Sequence, residues 1–170
     1  MQIEISPKYE SLRPWIERIP TTFEQSGKVL YDARNQIRAI EHNGLNINVK
    51  RFHTPALPNR LIYTLFRLPK AVRAYQNAGR LLQLGIETPT PIAYILCGEH
   101  LLSESYLITL QSPLSHNFYE FRYHSVAGYE AVIRQFAYFT ADMHKKGVLH
   151  KDYSPGNILF ETDASGKAWF

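Results

Sequence analysis

Val148-Leu149-His150-Lys151-Asp152-Tyr153-Ser154-Pro155-Gly156-Asn157-Ile158-Leu159-Phe160 places two polar, oxygen-bearing side chains five residues apart in a loop bounded by apolar residues. Val148 and Leu149 before the loop, and Ile158, Leu159 and Phe160 after it, predict two short flanking strands. Between them Ser154-Pro155-Gly156 predicts a tight turn, because proline presets its own φ and glycine tolerates angles that other residues resist. Such a turn brings Asn157 back toward Asp152. One reading of the pair is purely local, with both side chains capping nearby backbone as Asp and Asn do in many turns.

The other reading is chemical, and what precedes the loop favours it. Tyr129 to Lys146 repeats Val132, Phe136, Phe139 and Met143 at spacings of three and four residues, the mark of an amphipathic helix. Lys145 and Lys146 suit its negative end, and Gly147 stops it. An amphipathic helix running into H-x-D-x-x-x-x-N is the setting of a phosphotransferase catalytic loop. In that reading Asp152 orients an attacking hydroxyl and takes its proton. Asn157 supplies an oxygen ligand to a magnesium ion that bridges nucleotide phosphates. His150 is expected to brace the loop through packing and backbone hydrogen bonding.

Upstream, Lys28 to Ile40 and Leu45 to Phe52 are rich in β-formers and predict an antiparallel hairpin around His42, Asn43 and Gly44. Ile47 and Val49 alternate with Asn46, Asn48 and Lys50, so Lys50 falls on the less apolar face of its strand. A strand lysine placed ahead of the loop is suited to holding nucleotide phosphates. Lys70 to Leu84 predicts a helix with Val72, Tyr75, Leu81 and Leu82 near its packed side and Gly85 as its stop. Ile92 to Cys97 and Leu101 to Leu110 predict a second hairpin. Ile3 to Ser26, with Pro7, Pro14 and Pro20, predicts a short helix and loops leading into the fold. The aromatic stretch Phe118 to Tyr123 is expected to pack between the lobes rather than to stack a base.

These strings together resemble a known family, the lipopolysaccharide core kinases of the Kdo and heptose kinase group within the protein-kinase-like superfamily. The likeness runs through Val29-Leu30-Tyr31, Arg34-Asn35, Ile47 to Phe52, Arg73-Ala74-Tyr75, Leu81 to Pro89, Pro91 to Ile95, Ser105 to Thr109 and the loop at 148–160. The resemblance implies an α+β, bilobed kinase fold: a lead-in at 1–26, an N-lobe of antiparallel sheet with one helix at 27–110, and a hinge with the first part of the C-lobe at 111–170. It implies transfer of the γ-phosphate of ATP to a sugar hydroxyl of the lipopolysaccharide inner core, with ATP and Mg2+ as cofactors. Asp152 then corresponds to the catalytic base, Lys50 to the phosphate-holding lysine, Arg34 and Asn35 to the nucleotide-covering turn, and Asn157 to the metal ligand.

Three features depart from the family pattern. No G-x-G-x-x-G stands between the first two strands, Gln76 takes the place of the helix glutamate that pairs with the strand lysine, and the chain ends at Trp169-Phe170 before a second metal-binding aspartate. The expectation is a C-terminally truncated kinase without measurable turnover, with Phe136, Phe139 or their neighbours unusually exposed. The alternative is a pseudokinase-like module that binds a nucleotide or partner without turnover.

Bulk properties limit the remaining classes. The chain has 170 residues, 45% hydrophobic and 20% charged, which fits an ordinary globular protein. Its single cysteine, Cys97, cannot form an internal disulfide, and with no signal peptide visible the expected location is cytoplasmic. His42, His53, His100, His116, His124 and His144 show no ligand spacing with Cys97 or acids, so no metal other than magnesium is expected. The net charge is +4. From His42 to Ile86 there is no acid, while Lys50, Arg51, Arg60, Arg67, Lys70, Arg73 and Arg80 fall inside the stretch. That run predicts either a solvated face or peripheral contact with an anionic membrane at the cytoplasmic side. The partners expected are a lipopolysaccharide core sugar and that surface, with no nucleic acid.

Overall fold

In the computed structural model, residues 1–33, 35–52, 68–98, 103–123 and 128–170 are described. The chain divides into two compact units, Met1–Gln111 and Ser112–Phe170.

The first unit is built on a six-stranded antiparallel sheet in the order β1-β5-β6-β4-β3-β2. Its strands are β1 (Gln2–Ile5), β2 (Lys28–Asp32), β3 (Asn35–His42), β4 (Leu45–Phe52), β5 (Pro91–Leu96) and β6 (Ser105–Leu110). The apolar alternation foreseen in β4 is kept, with Ile47 and Val49 fully buried and Asn46 exposed. The stretch 28–40 is two strands rather than one arm of a hairpin, because Lys28–Asp32 and the strand that starts at Asn35 pair antiparallel, and Ala33 N–H donates to the Asn35 carbonyl at 3.1 Å. At the β3–β4 turn Asn43 and Gly44 both take positive φ, 50° and 72°, the pattern that matches a two-residue turn to the twist of its strands.

Residues 1–26 are part of this unit's core rather than a lead-in. After β1, two short helices, α1 (Arg13–Ile16) and α2 (Ile19–Thr22), are flanked by single helical turns at Pro7–Leu12 and Phe23–Gln25. They lay Tyr9, Leu12, Ile16, Ile19 and Phe23 over Ile47, Val49, Ile95, Tyr106 and Ile108 on one sheet face. The other face carries α3 (Lys70–Gln83), whose Ala71 and Val72 pack with Phe52 and Tyr94. Leu82, foreseen on the packed side, points outward at 38% exposure, and the buried Ala71 and Ala78 take that side instead. Val72 and Tyr75 keep their foreseen places on that side, packed with Ala71 and Ala74.

The second unit packs α4 (Glu120–Tyr123) and α5 (Glu130–Lys145) with a small sheet of β7 (His116–Asn117), β8 (Leu159–Thr162) and β9 (Ala168–Trp169), ordered β7-β8-β9. Its core is aromatic. Phe160, 1% exposed, is surrounded by Phe118, Phe121 and Phe170, and Phe118 also meets Phe136 with ring centroids 4.4 Å apart. Phe118 and Phe121 are thus occupied within this unit, which removes them as platforms for a base. Phe136 and Phe139 are half-buried against Phe170, and the exposure foreseen for them or their neighbours falls on Tyr138, which is 70% exposed.

Candidate functional site

The loop inherits its start from the end of α5. Val148 N–H donates to the Met143 carbonyl at 3.0 Å and Gly147 N–H to the His144 carbonyl at 2.9 Å, two bonds that close the helix in a Schellman arrangement. This closure needs a left-handed residue, and Gly147 supplies it with φ 73°. The chain leaves the helix as an extended segment at 148–150 that pairs with no described strand, so only the strand after the loop forms as foreseen.

Pro155–Asn157 then make a single helical turn, with Asn157 N–H donating to the Ser154 carbonyl at 2.9 Å. The Asn157 side chain reaches back across it. Its Nδ2 donates to the backbone carbonyl of Asp152 at 2.9 Å and to Ser154 Oγ at 3.1 Å. A carbonyl oxygen can only accept, so this contact fixes the amide orientation and leaves Oδ1 as the outward atom. The nitrogen braces the turn, as the local-capping reading has it. Asp152 and Asn157 are both exposed. Carboxylate and amide oxygens are the hard donors that magnesium takes.

Below the loop, Tyr153 is the anchor. Its hydroxyl shares a 2.8 Å hydrogen bond with Thr140 Oγ1 on α5, and its ring lies against Phe136 with centroids 5.4 Å apart. Burial raises the Tyr153 pKa above its ordinary value, which keeps the hydroxyl protonated. His150 packs on the Tyr153 ring at 5.4 Å, as foreseen, but it is exposed and makes no hydrogen bond among the described residues. On the far side of β8, Ser115 Oγ donates to Glu161 at 2.6 Å and holds that carboxyl below the usual glutamate range. Among the described residues no three His, Cys, Asp or Glu side chains gather as a metal cluster.

A profile of the lipopolysaccharide kinase (Kdo/WaaP) family matches residues 26–170. The chain belongs to that family. By family it is a kinase of lipopolysaccharide core sugars, and as a kinase it uses ATP. A solved structure titled "WaaP in complex with acyl carrier protein" matches at TM-score 0.62 and 20% identity, covering 99% of this chain and 68% of that one. That likeness bears on the fold, which is protein-kinase-like. No curated protein matches.

The nucleotide-holding residues expected for such a kinase lie in the first unit. Lys50 is half-buried on an interior strand, paired across to Ile37 and Leu107, with Nζ over the Phe52 ring at 5.3 Å. Asn35 begins β3 on the same sheet face, opposite Phe52. Arg34 lies outside the described residues. Gln76, exposed on α3, lines a shallow recess with Ser6, Thr90 and Pro91. The acid-free run is not one basic face: Arg51 turns to the sheet side opposite Lys50, where it pairs with Glu24 at 2.6 Å and lies over Phe23. Sequence reasoning missed Thr140, the hydroxyl that receives Tyr153. Its only signal is a polar residue one position after Phe139 on an otherwise aromatic helix side, which points to no particular partner.

Proposed function

We propose that this kinase moves the γ-phosphate of ATP to a sugar hydroxyl of the lipopolysaccharide inner core. Asp152 aligns the acceptor hydroxyl and takes its proton as the new oxygen–phosphorus bond forms and ADP departs. Lys50, with backbone groups near Arg34 and Asn35, holds the nucleotide phosphates. Asn157 Oδ1 is the magnesium ligand, and the bound ion would neutralise charge on those phosphates. The observation that carries the reading is the Nδ2 bond from Asn157 to the Asp152 backbone carbonyl, which ties the Asn157 side chain to the residue five positions earlier in the same exposed turn.

The test is Asp152→Asn made at the matching position of a full-length homologue, assayed by ATP consumption with a lipopolysaccharide core acceptor. Turnover is expected to fall about 100-fold or more with an unchanged melting temperature. An unchanged rate would refute the base assignment. A second reading, a nucleotide- or partner-binding module without turnover, is favoured by Gln76 standing where the resemblance implies an acid. It predicts magnesium-dependent ATP binding by the wild-type chain with no phosphate transferred at all.

Peripheral contact with an anionic membrane belongs to the same proposal, since the acceptor is a glycolipid. Among the described residues no helix is long and apolar enough to cross a membrane. Co-sedimentation with anionic vesicles, weakening as salt rises, tests the contact.

A further inference from the structure

The catalytic turn is held from outside by a residue that the proposed reaction does not use. A methyl group placed on Gly156 would come within 2.7 Å of Cε2 of the Tyr119 ring, too close for any real side chain, so ring and turn backbone are in direct contact. Gly156 is the residue immediately before Asn157. The segment that carries Tyr119 is itself tied to the strand leaving the turn: Asn117 pairs with Leu159, and Phe118 N–H donates to the Ile158 carbonyl at 3.2 Å. Tyr119 N–H donates to Asn117 Oδ1 at 2.9 Å, which sets the ring's origin relative to that strand. The turn is therefore pinned on three sides, by Tyr153 below, by the Asn157 amide within, and by the Tyr119 ring over Gly156.

We propose that Tyr119 is a positioning residue for the metal ligand, acting through its ring on Gly156 to fix where Asn157 Oδ1 points. Gly156 is needed for the close approach of the ring, since its φ is not in the left-handed region. Tyr119 is 46% exposed, and a large aromatic left half in solvent is held there by this contact. The ring is the working part, and the hydroxyl is dispensable.

The inference rests on the assignment of Asn157 above, and two measurements on the full chain test it separately from that assignment. The first is a melting-temperature cycle over Gly156→Ala and Tyr119→Ala. Gly156→Ala should lower the melting temperature in the wild-type background and have little effect once Tyr119 is alanine. An equal shift in both backgrounds overturns the contact. The second is titration of a non-hydrolysable ATP analogue, in magnesium and in chelator. Tyr119→Ala should weaken binding about 10-fold in magnesium and leave it unchanged in chelator, the size typical of losing a residue that orients a ligand. Tyr119→Phe should stay within about twofold of wild type, because it keeps the ring. If Asn157→Ala abolishes the magnesium effect while Tyr119→Ala keeps it, the positioning role is wrong and the ligand assignment stands. If the wild-type chain shows no magnesium effect, the ligand assignment is wrong and the positioning role falls with it.

Discussion

Asn157 carries a donor and an acceptor on one planar group, and its surroundings use them differently. The donor is consumed by the Asp152 carbonyl and Ser154, so rotating the amide to bring nitrogen outward would set oxygen against oxygen. An aspartate at 157 keeps an outward oxygen but loses the brace and adds repulsion toward that carbonyl. Asn157→Asp is accordingly expected to reduce magnesium-dependent nucleotide affinity despite its extra charge, which isothermal titration would show. Lys50 is a contrasting case, because its value lies in charge rather than geometry. Lys50→Met keeps the length of the stem and removes the ammonium that lies over the Phe52 ring, so nucleotide affinity should fall by about 2 kcal/mol while the melting temperature stays close to wild type. A large loss of stability instead would mark Lys50 as a packing residue. Both residues could be singled out in the sequence from strand alternation and loop spacing. The bond that orients Asn157 could not, since a five-residue spacing does not say which amide atom turns inward.

Helix α5 is the element on which the loop depends, through its end and through Thr140. Gly147 is left-handed, and a side chain there costs about 1–2 kcal/mol. Gly147→Ala should therefore lower the stability of the second unit by that amount, and by misdirecting 148–152 it should reduce turnover more than stability. Thermal melting and acceptor-dependent ATP consumption on one sample separate the two effects. Tyr153→Phe removes the 2.8 Å bond and leaves Thr140 without its partner, a cost of about 1 kcal/mol. If the pair acts as one unit, adding Thr140→Val to Tyr153→Phe should cost little more, and a double-mutant cycle by chemical denaturation tests that. The helix and its stop were legible in the apolar repeat and in Gly147. Its neighbours were not, because periodicity tells which side is covered without saying what covers it.

At the scale of the whole molecule, residues 1–26 show most clearly where local signals end. Three prolines and no sustained period made them look like a lead-in, yet Ile16, Ile19 and Phe23 are each no more than 1% exposed. Removing them would uncover Ile47, Val49, Ile95 and Ile108, all fully buried, and delete β1 from the sheet edge. A chain starting at residue 27 is expected to be insoluble or to bind a hydrophobic dye strongly, whereas the native chain should not. A soluble, cooperatively melting 27–170 chain would show that this layer is dispensable.

The family, the strand bearing Lys50, the helix at 130–145 and the loop from Asp152 to Asn157 were all determined by the sequence alone. The family was read from a resemblance spread along the chain; the strand, the helix and the loop rest on short-range rules: strand alternation of two, helical spacing near 3.6, and a turn whose length is set by proline and glycine. Tertiary structure decided what those rules cannot reach. It put the N-terminal segment over one sheet face, sent Arg51 to Glu24 instead of to a basic patch, turned Leu82 of α3 outward while burying Ala71 and Ala78, and set Tyr119 on Gly156. All four are contacts between residues distant in sequence, or choices between faces of similar polarity. Such choices are made by how volumes fill and charges pair once the layers meet, and no window along the chain contains both partners.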